Sequence, residues 1–453
     1  MNIVIIGLGK YGRFLTEQLV KENHDIIVID SNPSNVEEMV NSFDVKGIVG
    51  NGASYLVQEE AFVNKTDLVV AVTSTDEVNI LCCLVSKKLG AKQTIARIRN
   101  PEYALQAQVM RNELGISMTV NPDYNTALEI FRTIRFPSAI NVESFANGKL
   151  NLVKIKVTKD SLLNGKSLIQ IQEKCKTHIL FSAIERQDEV IIPNGSTVLQ
   201  EDDYVYISVS AREINSSFKK LKIIQDKVKD AMIIGGGKIT FYLANLLIEN
   251  GISVKIIESD KEICDHLSEL LPKALILKGD GTHQNLLLSE GLENVDALVT
   301  LTGMDEVNIM ISSSAKETMC KKIITKISNS NYENVIEHYG LDSVVNPKEL
   351  FANNIIRYAR GMNKASDRGS EFKTLYRLVN NKVEASEFFI SKETKYTSIP
   401  LKDLKLKKNV LIAGIIRKNK VIIPSGLDTL EPLDSVIVVT SSYLVKDLQD
   451  IMG

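Results

Sequence analysis

Two rhythms of apolar residues alternate along this chain. Short β-branched runs, such as Ile3 to Ile6 and Ile26 to Ile29, read as buried strands. Between these two lies a helical stretch, Arg13 to Glu22. The same alternation continues to about residue 120 through the strands Val45 to Val49, Leu68 to Val72 and Ile95 to Arg99. It then restarts near residue 230 and runs to about 345. Strand–helix alternation of this kind is the pattern of a doubly wound parallel sheet. After each such region the texture changes to short strands split by turn residues. In the first half these are Leu152 to Val157, Ile179 to Glu185, Glu189 to Ile192 and Tyr204 to Val209, with turns at Asn164-Gly165 and Pro193-Asn194-Gly195. A small α+β domain of roughly 80 residues is expected to close each half.

The pattern is written twice. Gly7-Leu8-Gly9-Lys10 returns as Gly235-Gly236-Gly237-Lys238, and Asp30 returns as Glu258 at the same offset. Gly50-Asn51-Gly52 returns as Gly279-Asp280-Gly281, and the stretch Asp67 to Ile80 returns as Asp296 to Ile309. Asn121-Pro122 returns as Asn346-Pro347, and Val190 to Gly195 as Val421 to Gly426. Six landmarks in one order identify a tandem duplication. The expected fold class is α/β, with two Rossmann-like doubly wound parallel sheets, each followed by a small α+β domain. The expected divisions are Rossmann-like domains at 1–120 and 228–345, connecting helices at 121–139 and 346–365, and C-terminal domains at 140–222 and 370–453. The first connecting helix has Ala127, Ile130, Phe131 and Ile134 on one face; the second has Phe351, Ile355, Tyr358, Ala359 and Met362. Each face needs a partner, either the next domain or a second subunit.

Candidate chemistry lies at the first turn of each half. Gly7-x-Gly9-x-x-Gly12 follows a strand and opens a helix, and the next strand ends on Asp30. Gly7 permits the tight turn, Gly9 lets backbone approach a pyrophosphate, and Gly12 lets helix and strand pack closely. The helix N-terminus offers free N–H groups and partial positive charge to phosphate. Gly7, Leu8, Gly9, Lys10, Tyr11 and Gly12 are therefore placed at the phosphates, and Asp30 at the adenosine ribose. Asn51 falls where the edge of an adenine lies in such folds. Thr73, Ser74 and Arg97 sit at strand ends facing the same crevice, Arg97 either toward a ligand or paired with Asp76 or Glu77. In the second half the matching candidates are Gly235, Gly236, Gly237, Lys238, Ile239, Glu258, Asp280 and Thr302, with Lys326 near the place of Arg97. Thr240 replaces the third glycine, which predicts a more distant helix and altered phosphate geometry. Asp76-Glu77 and Asp305-Glu306 read as acidic first-turn residues favoured by the helix dipole, ahead of a cation or subunit contact.

Composition narrows the functional classes. Across 453 residues the formal net charge is −2, which gives no argument for nucleic acid or anionic lipid. The five cysteines show no CxxC and read as reduced cytosolic thiols. The five histidines lack metal-ligand spacing, and no metal site is expected. The chain enters a strand at once, so no signal peptide is expected, and no apolar run nears the ~18 residues of a membrane span. No Tyr is followed four residues later by Lys, no P-loop occurs and no Ser/His/Asp set is suggested. A nucleotide that signals, and no catalytic residue, is the expectation; the alternative is an NAD-dependent oxidoreductase.

The series Gly7 to Gly12, Asp30, Gly50-Asn51-Gly52, Val72-Thr-Ser-Thr-Asp-Glu-Val-Asn79, Ala96-Arg-Ile-Arg99 and Asn121-Pro122 resembles the TrkA family, the peripheral nucleotide-binding subunits of Trk potassium uptake systems. The resemblance covers essentially the whole chain, as two successive RCK units. It implies a homo-oligomeric ring of four chains on the cytoplasmic side of the membrane, docked beneath a TrkH- or TrkG-like potassium channel subunit. It also implies NAD(H), ATP or ADP as regulatory ligands in the Rossmann crevices, which change the ring's shape to gate the pore.

Overall fold

The computed structural model describes residues 1–187, 189–223, 227–362, 369–379, 382–441 and 445–453. The first half opens with β1 (Asn2–Ile6), α1 (Lys10–Lys21), β2 (Asp25–Asp30), α2 (Pro33–Ser42) and β3 (Lys46–Val49). It continues with α3 (Tyr55–Glu60), β4 (Leu68–Ala71), α4 (Asp76–Leu89), β5 (Gln93–Arg97), α5 (Pro101–Leu105), α6 (Ala107–Asn112) and β6 (Met118–Val120). These strands form one parallel sheet in the order β3-β2-β1-β4-β5-β6. The order reverses between β1 and β4, and a crevice opens beyond their carboxyl ends.

Helix α7 (Pro122–Ile134) follows, with Asn121 Oδ1 accepting from Tyr124 N at 3.0 Å and Pro122 in the first turn. Next come β7 (Asn141–Phe145), β8 (Leu150–Lys156), α8 (Leu168–Cys175), β9 (Ile179–Arg186), β10 (Glu189–Ile191), β11 (Tyr204–Ser210) and α9 (Ile214–Lys220). Their antiparallel sheet runs β10-β9-β11-β8-β7. Strand β7 has no place among the expected strands, because its sequence (Asn-Val-Glu-Ser-Phe) interrupts the apolar run with Glu143.

The second half repeats the plan as β12 (Asp230–Ile234), α10 (Lys238–Glu249), β13 (Ser253–Glu258), α11 (Lys261–Leu270), β14 (Leu275–Lys278) and α12 (Gln284–Ser289). It goes on with β15 (Ala297–Thr300), α13 (Asp305–Ala315), β16 (Lys322–Lys326), α14 (Glu333–His338), β17 (Val344–Val345) and α15 (Pro347–Met362). The parallel sheet is β14-β13-β12-β15-β16-β17. Strands β18 (Ser370–Leu378), β19 (Val383–Ile390), β20 (Val410–Arg417), β21 (Lys420–Ile422) and β22 (Ser435–Thr440) form the last sheet, β18-β19-β22-β20-β21. Strand for strand, this is the order of the first antiparallel sheet.

The two halves exchange their connecting helices. Ala127, Ile130, Phe131 and Ile134 of α7 share a core with Leu243, Ala244 and Leu247 of α10, in the second Rossmann-like unit. Phe351, Ile355, Ile356 and Ala359 of α15 share a core with Ile3, Leu15 and Leu19 of the first, with Tyr358 and Met362 packed at its margin. Of the two partners open to these faces in the sequence, the structure therefore supplies the one within the chain. The two antiparallel domains also fuse their cores. Phe145, Leu150 and Leu152 pack with Leu378, Ala385 and Val439, and the rings of Phe145 and Tyr376 meet edge to face at 4.9 Å.

A buried ion network closes the contact of α15 with α1. Arg360 donates to both carboxylate oxygens of Glu22 (2.8 and 2.7 Å) and to both of Glu384 (3.0 and 2.9 Å), while Arg377 also bonds Glu22. The contact of α7 with α10 has no counterpart of this kind at the matching residue, since Arg135 is exposed and lies over the Phe131 ring at 5.9 Å.

Candidate functional site

At the start of each half the loop geometry is set by backbone sterics. Gly7 has φ +100°, and a Cβ there would meet Thr73 backbone at 2.8 Å. A Cβ on Gly12 would stand 1.9 Å from Gly7 O, so only glycine allows α1 to sit this close to β1. Gly9 is different. Its Cβ would meet nothing within 4 Å, which leaves open space where backbone faces the crevice. Neither α1 nor α10 has a side-chain cap or an acidic residue in its first turn, so their leading N–H groups stay available to an anion.

Asp30 braces this loop. Its Oδ2 accepts from Leu8 N at 2.5 Å and its Oδ1 from Asn32 N at 2.8 Å. Glu258 does the same in the second half, accepting from Gly236 N at 2.5 Å and Asp260 N at 2.8 Å. Each carboxylate, carried by the last residue of β2 or β13, keeps lone pairs facing its crevice. Thr240 donates to Gly235 O at 2.6 Å from a fully buried position. The hydroxyl thus holds α10 to the turn.

Gly7, Gly9, Lys10, Tyr11, Asp30, Asn51, Thr73, Ser74 and Arg97 line one crevice of about 620 Å³. Leu8 and Gly12 do not line it. The Leu8 side chain is buried in the core, its N–H goes to Asp30 and its carbonyl accepts from Arg13 Nε at 2.9 Å. Gly12 is occupied by its approach to Gly7. In the second half Gly235, Gly236, Gly237, Lys238, Ile239, Glu258, Asp280 and Thr302 line a crevice of about 580 Å³ together with Lys326. Both volumes suit a nucleotide-sized ligand.

Arg97 makes neither alternative ion pair. Only 7% exposed, it donates through Nη2 to Thr73 O at 2.6 Å and lies over the Tyr11 ring at 5.5 Å. Its Nε has no partner among the described residues, although a buried guanidinium ordinarily satisfies its donors. Burial lowers its pKa, and an anion in the crevice would meet both needs. Lys326 copies the arrangement by donating to Thr302 O.

Three features escape sequence reading. Asn79 Oδ1 accepts from Thr73 N (2.6 Å) and Thr73 Oγ1 (2.8 Å), and its Nδ2 donates to Arg97 O (2.9 Å). Asn308 repeats these bonds with Thr302 and Lys326. Both asparagines were visible as repeated residues, with nothing local to mark their reach to the next strand. Asp76 exceeds its expected first-turn role by accepting from Arg99 N and Asn100 N, as Asp305 does from Ser328 N and Asn329 N. Finally, Tyr11, Arg99 and Asp123 of the first half line the second crevice. Arg99 Nε bonds Asp123 Oδ2 at 2.6 Å, and Tyr242 of α10 donates to Arg99 O at 3.1 Å. Tyr11 thereby faces both crevices, with its ring edge-on to Phe351 of α15 at 5.2 Å.

Comparison with known proteins agrees with this architecture. The TrkA-N domain model matches residues 3–122 and 231–347, and the TrkA-C domain model matches residues 152–222 and 386–453. A Trk system potassium uptake protein TrkA homolog of Archaeoglobus fulgidus is 32% identical over 453 residues, covering 100% of both chains. Among solved structures, the GsuK RCK domain superposes with a TM-score of 0.64 at 16% identity, over 97% of this chain and 92% of that one. The GsuK channel bound to NAD gives 0.63 at 16% identity, over 97% of this chain and 77% of that one.

Proposed function

This chain belongs to the TrkA family, and from that membership we propose that it is a nucleotide-responsive regulatory subunit of a potassium uptake system. The ligands in this reading are NAD(H), ATP or ADP. The phosphates lie on the Gly9 and Gly237 loops, near Lys10 and Arg97 or Lys238 and Lys326, and the ribose lies on Asp30 or Glu258. The partner is a TrkH- or TrkG-like membrane channel subunit, and four copies of the chain form a ring at the inner face of the membrane. Among the described residues no helix is long and apolar enough to cross a bilayer, so contact with the channel falls to surfaces outside it.

The observation that carries the reading is the position of Tyr11, Arg99 and Asp123. A ligand in the second crevice touches residues of both halves, and Tyr11 passes any displacement to Phe351 on the exchanged helix. Such a ligand moves the joint only through its differential affinity for two shapes, typically ~1–3 kcal/mol per coupled site. Several crevices per ring approach the ~5.5 kcal/mol that takes a 1:99 equilibrium to 99:1. Regulation fits these groups better than turnover. Tyr11, the phenol in both crevices, is pushed up to about 12 by burial, which makes it a poor proton donor.

Calorimetric titration with ATP, ADP, NAD+ and NADH, repeated on Asp30→Ala and Glu258→Ala, tests the reading. Separate losses in the two variants establish two working sites; loss only in Asp30→Ala leaves the second unit structural. A wild-type chain that binds none of the four removes the nucleotide mechanism.

A further inference from the structure

Helix α7 crosses α15 over a cavity of about 260 Å³ that the nucleotide crevices do not reach. Besides Glu349 of α15, two carboxyl groups line it, Glu129 from the middle of α7 and Glu143 from β7. Both are nearly removed from water, with Glu143 only 7% exposed. Each keeps one oxygen, Glu129 Oε1 and Glu143 Oε2, with no hydrogen-bond partner among the described residues. Two unpaired carboxylate oxygens in one buried cavity are costly as anions, because desolvation and mutual repulsion both oppose the second charge.

The donors around them leave these two oxygens unserved. On α7, Arg132 Nη1 stands 3.6 Å from Glu129 Oε2, too far for a good hydrogen bond. On β7, Asn141 Nδ2 donates to Glu143 Oε1 at 2.9 Å, the oxygen that is already served. From α15, Arg357 Nη2 donates to Asn354 Oδ1 at 2.7 Å, while Glu349 accepts from Asn346. From β18, Tyr376 donates its hydroxyl to Ser144 O at 2.9 Å, and Arg377 belongs to the network around Glu22 and Glu384. On the far side of Tyr376, Glu387 accepts from Ala146 N.

We infer that Glu129 and Glu143 form a proton-binding site where α7 crosses α15, an input to the joint between the halves that is separate from the nucleotide crevices. The protons belong to the pair, and when both carboxyls hold theirs the cavity closes without a charge. Loss of the first proton leaves a buried negative charge in the cavity and loss of the second sets a like charge beside it, which favours entry of water and separation of α7 from β7 and α15. Burial raises the pKa of Glu129 to about 7, and burial followed by repulsion from Glu129 raises Glu143 well above the usual carboxylate range. The folded chain therefore holds protons that the unfolded chain has released. The stabilisation is complete below the ordinary glutamate pKa of 4.5 and is lost as pH rises through about 7.

The test uses the full chain with Glu143→Gln, which keeps the shape of the protonated acid, and Glu129→Gln as an independent second variant. Because the chain contains no tryptophan, Tyr124→Trp on α7, next to Tyr242 of α10, supplies a single indole that can be excited apart from the tyrosines. The expected result is a fall in melting temperature and a titration of the fluorescence between pH 6 and 8. Both should be flattened in each glutamine variant, with roughly one fewer proton in the linkage slope. A merely structural role would shift the melting curve by a constant and leave the slope intact. Slopes unchanged in both variants, or no titration in the parent, overturn the proposal. It is also overturned if K+ or Na+ at fixed pH and ionic strength displaces the proton one for one, which would make the pair a cation site. None of these outcomes depends on nucleotide binding.

Discussion

Arg360→Met removes one cation from a neutral, buried set of two arginines and two glutamates. The Arg360 side chain is 4% exposed and that of Glu22 3%, so no solvent replaces the lost donors. Four hydrogen bonds disappear, and Arg377 alone must serve both Glu22 and Glu384. Stranding a buried charge in this way costs about 3–5 kcal/mol. For 453 residues unfolding together, that is a drop of about 3–5 °C in melting temperature. Arg135→Met, at the matching position on the exposed side of α7, is the internal control and should change stability by less than about 0.5 kcal/mol. Adding Glu22→Gln to Arg360→Met restores neutrality, leaving Arg377 with Glu384, and should recover more than about 1 kcal/mol of the loss. The assay is denaturant unfolding of the wild type, Arg360→Met, Glu22→Gln, the double variant and Arg135→Met, with hydrogen exchange on α1 and α15 to locate the opening. If Arg360→Met cost under about 1 kcal/mol, or if the double variant showed the sum of the two single losses, the network would not be the latch described here.

Two further outcomes follow from the loop geometry. Gly12→Ala sets a Cβ against Gly7 O, so α1 must retreat; we expect a loss of about 1–3 kcal/mol and at least a tenfold loss of nucleotide affinity at the first crevice alone. Asn79→Ala strands Thr73 N–H and Arg97 C=O, and should cost about 2–4 kcal/mol in thermal unfolding while weakening the first crevice and sparing the second.

Much of the architecture was legible because it is written in local periodicity. Runs such as Ile3 to Ile6, the turn at Gly7 and the terminal acid Asp30 specify one βαβ unit by themselves, and the repeat of these marks doubles the inference. The exchanged helices were legible only as a need. An apolar face at Ile130 and Phe131 states that something covers it, and no rule of spacing says that α10, more than a hundred residues on, is the cover. The same distance hid the bond between Arg360 and Glu22 and the arrival of Arg99 in the second crevice. Leu8 was misplaced for a different reason. A loop motif marks backbone, and whether the side chain follows the ligand or turns into the core depends on the packing beneath, where Leu8 is fully buried.

The exchange of α7 and α15 also bears on how such a chain arises. A single half would leave one helix face bare and one Rossmann-like unit uncovered, a deficit that a second identical half repairs by symmetry, at the mercy of concentration. Joining two halves in one polypeptide makes the partner permanent, with an effective concentration in the millimolar range for a short connection. Once mating is assured, the halves are free to diverge. Thr240 opposite Gly12, Lys326 opposite Arg97 and Ser328 opposite Arg99 show that freedom in use. Nicking the backbone between residues 223 and 227 should accordingly leave the two fragments in a single complex on gel filtration, because what holds them together is the traded helices and not the link.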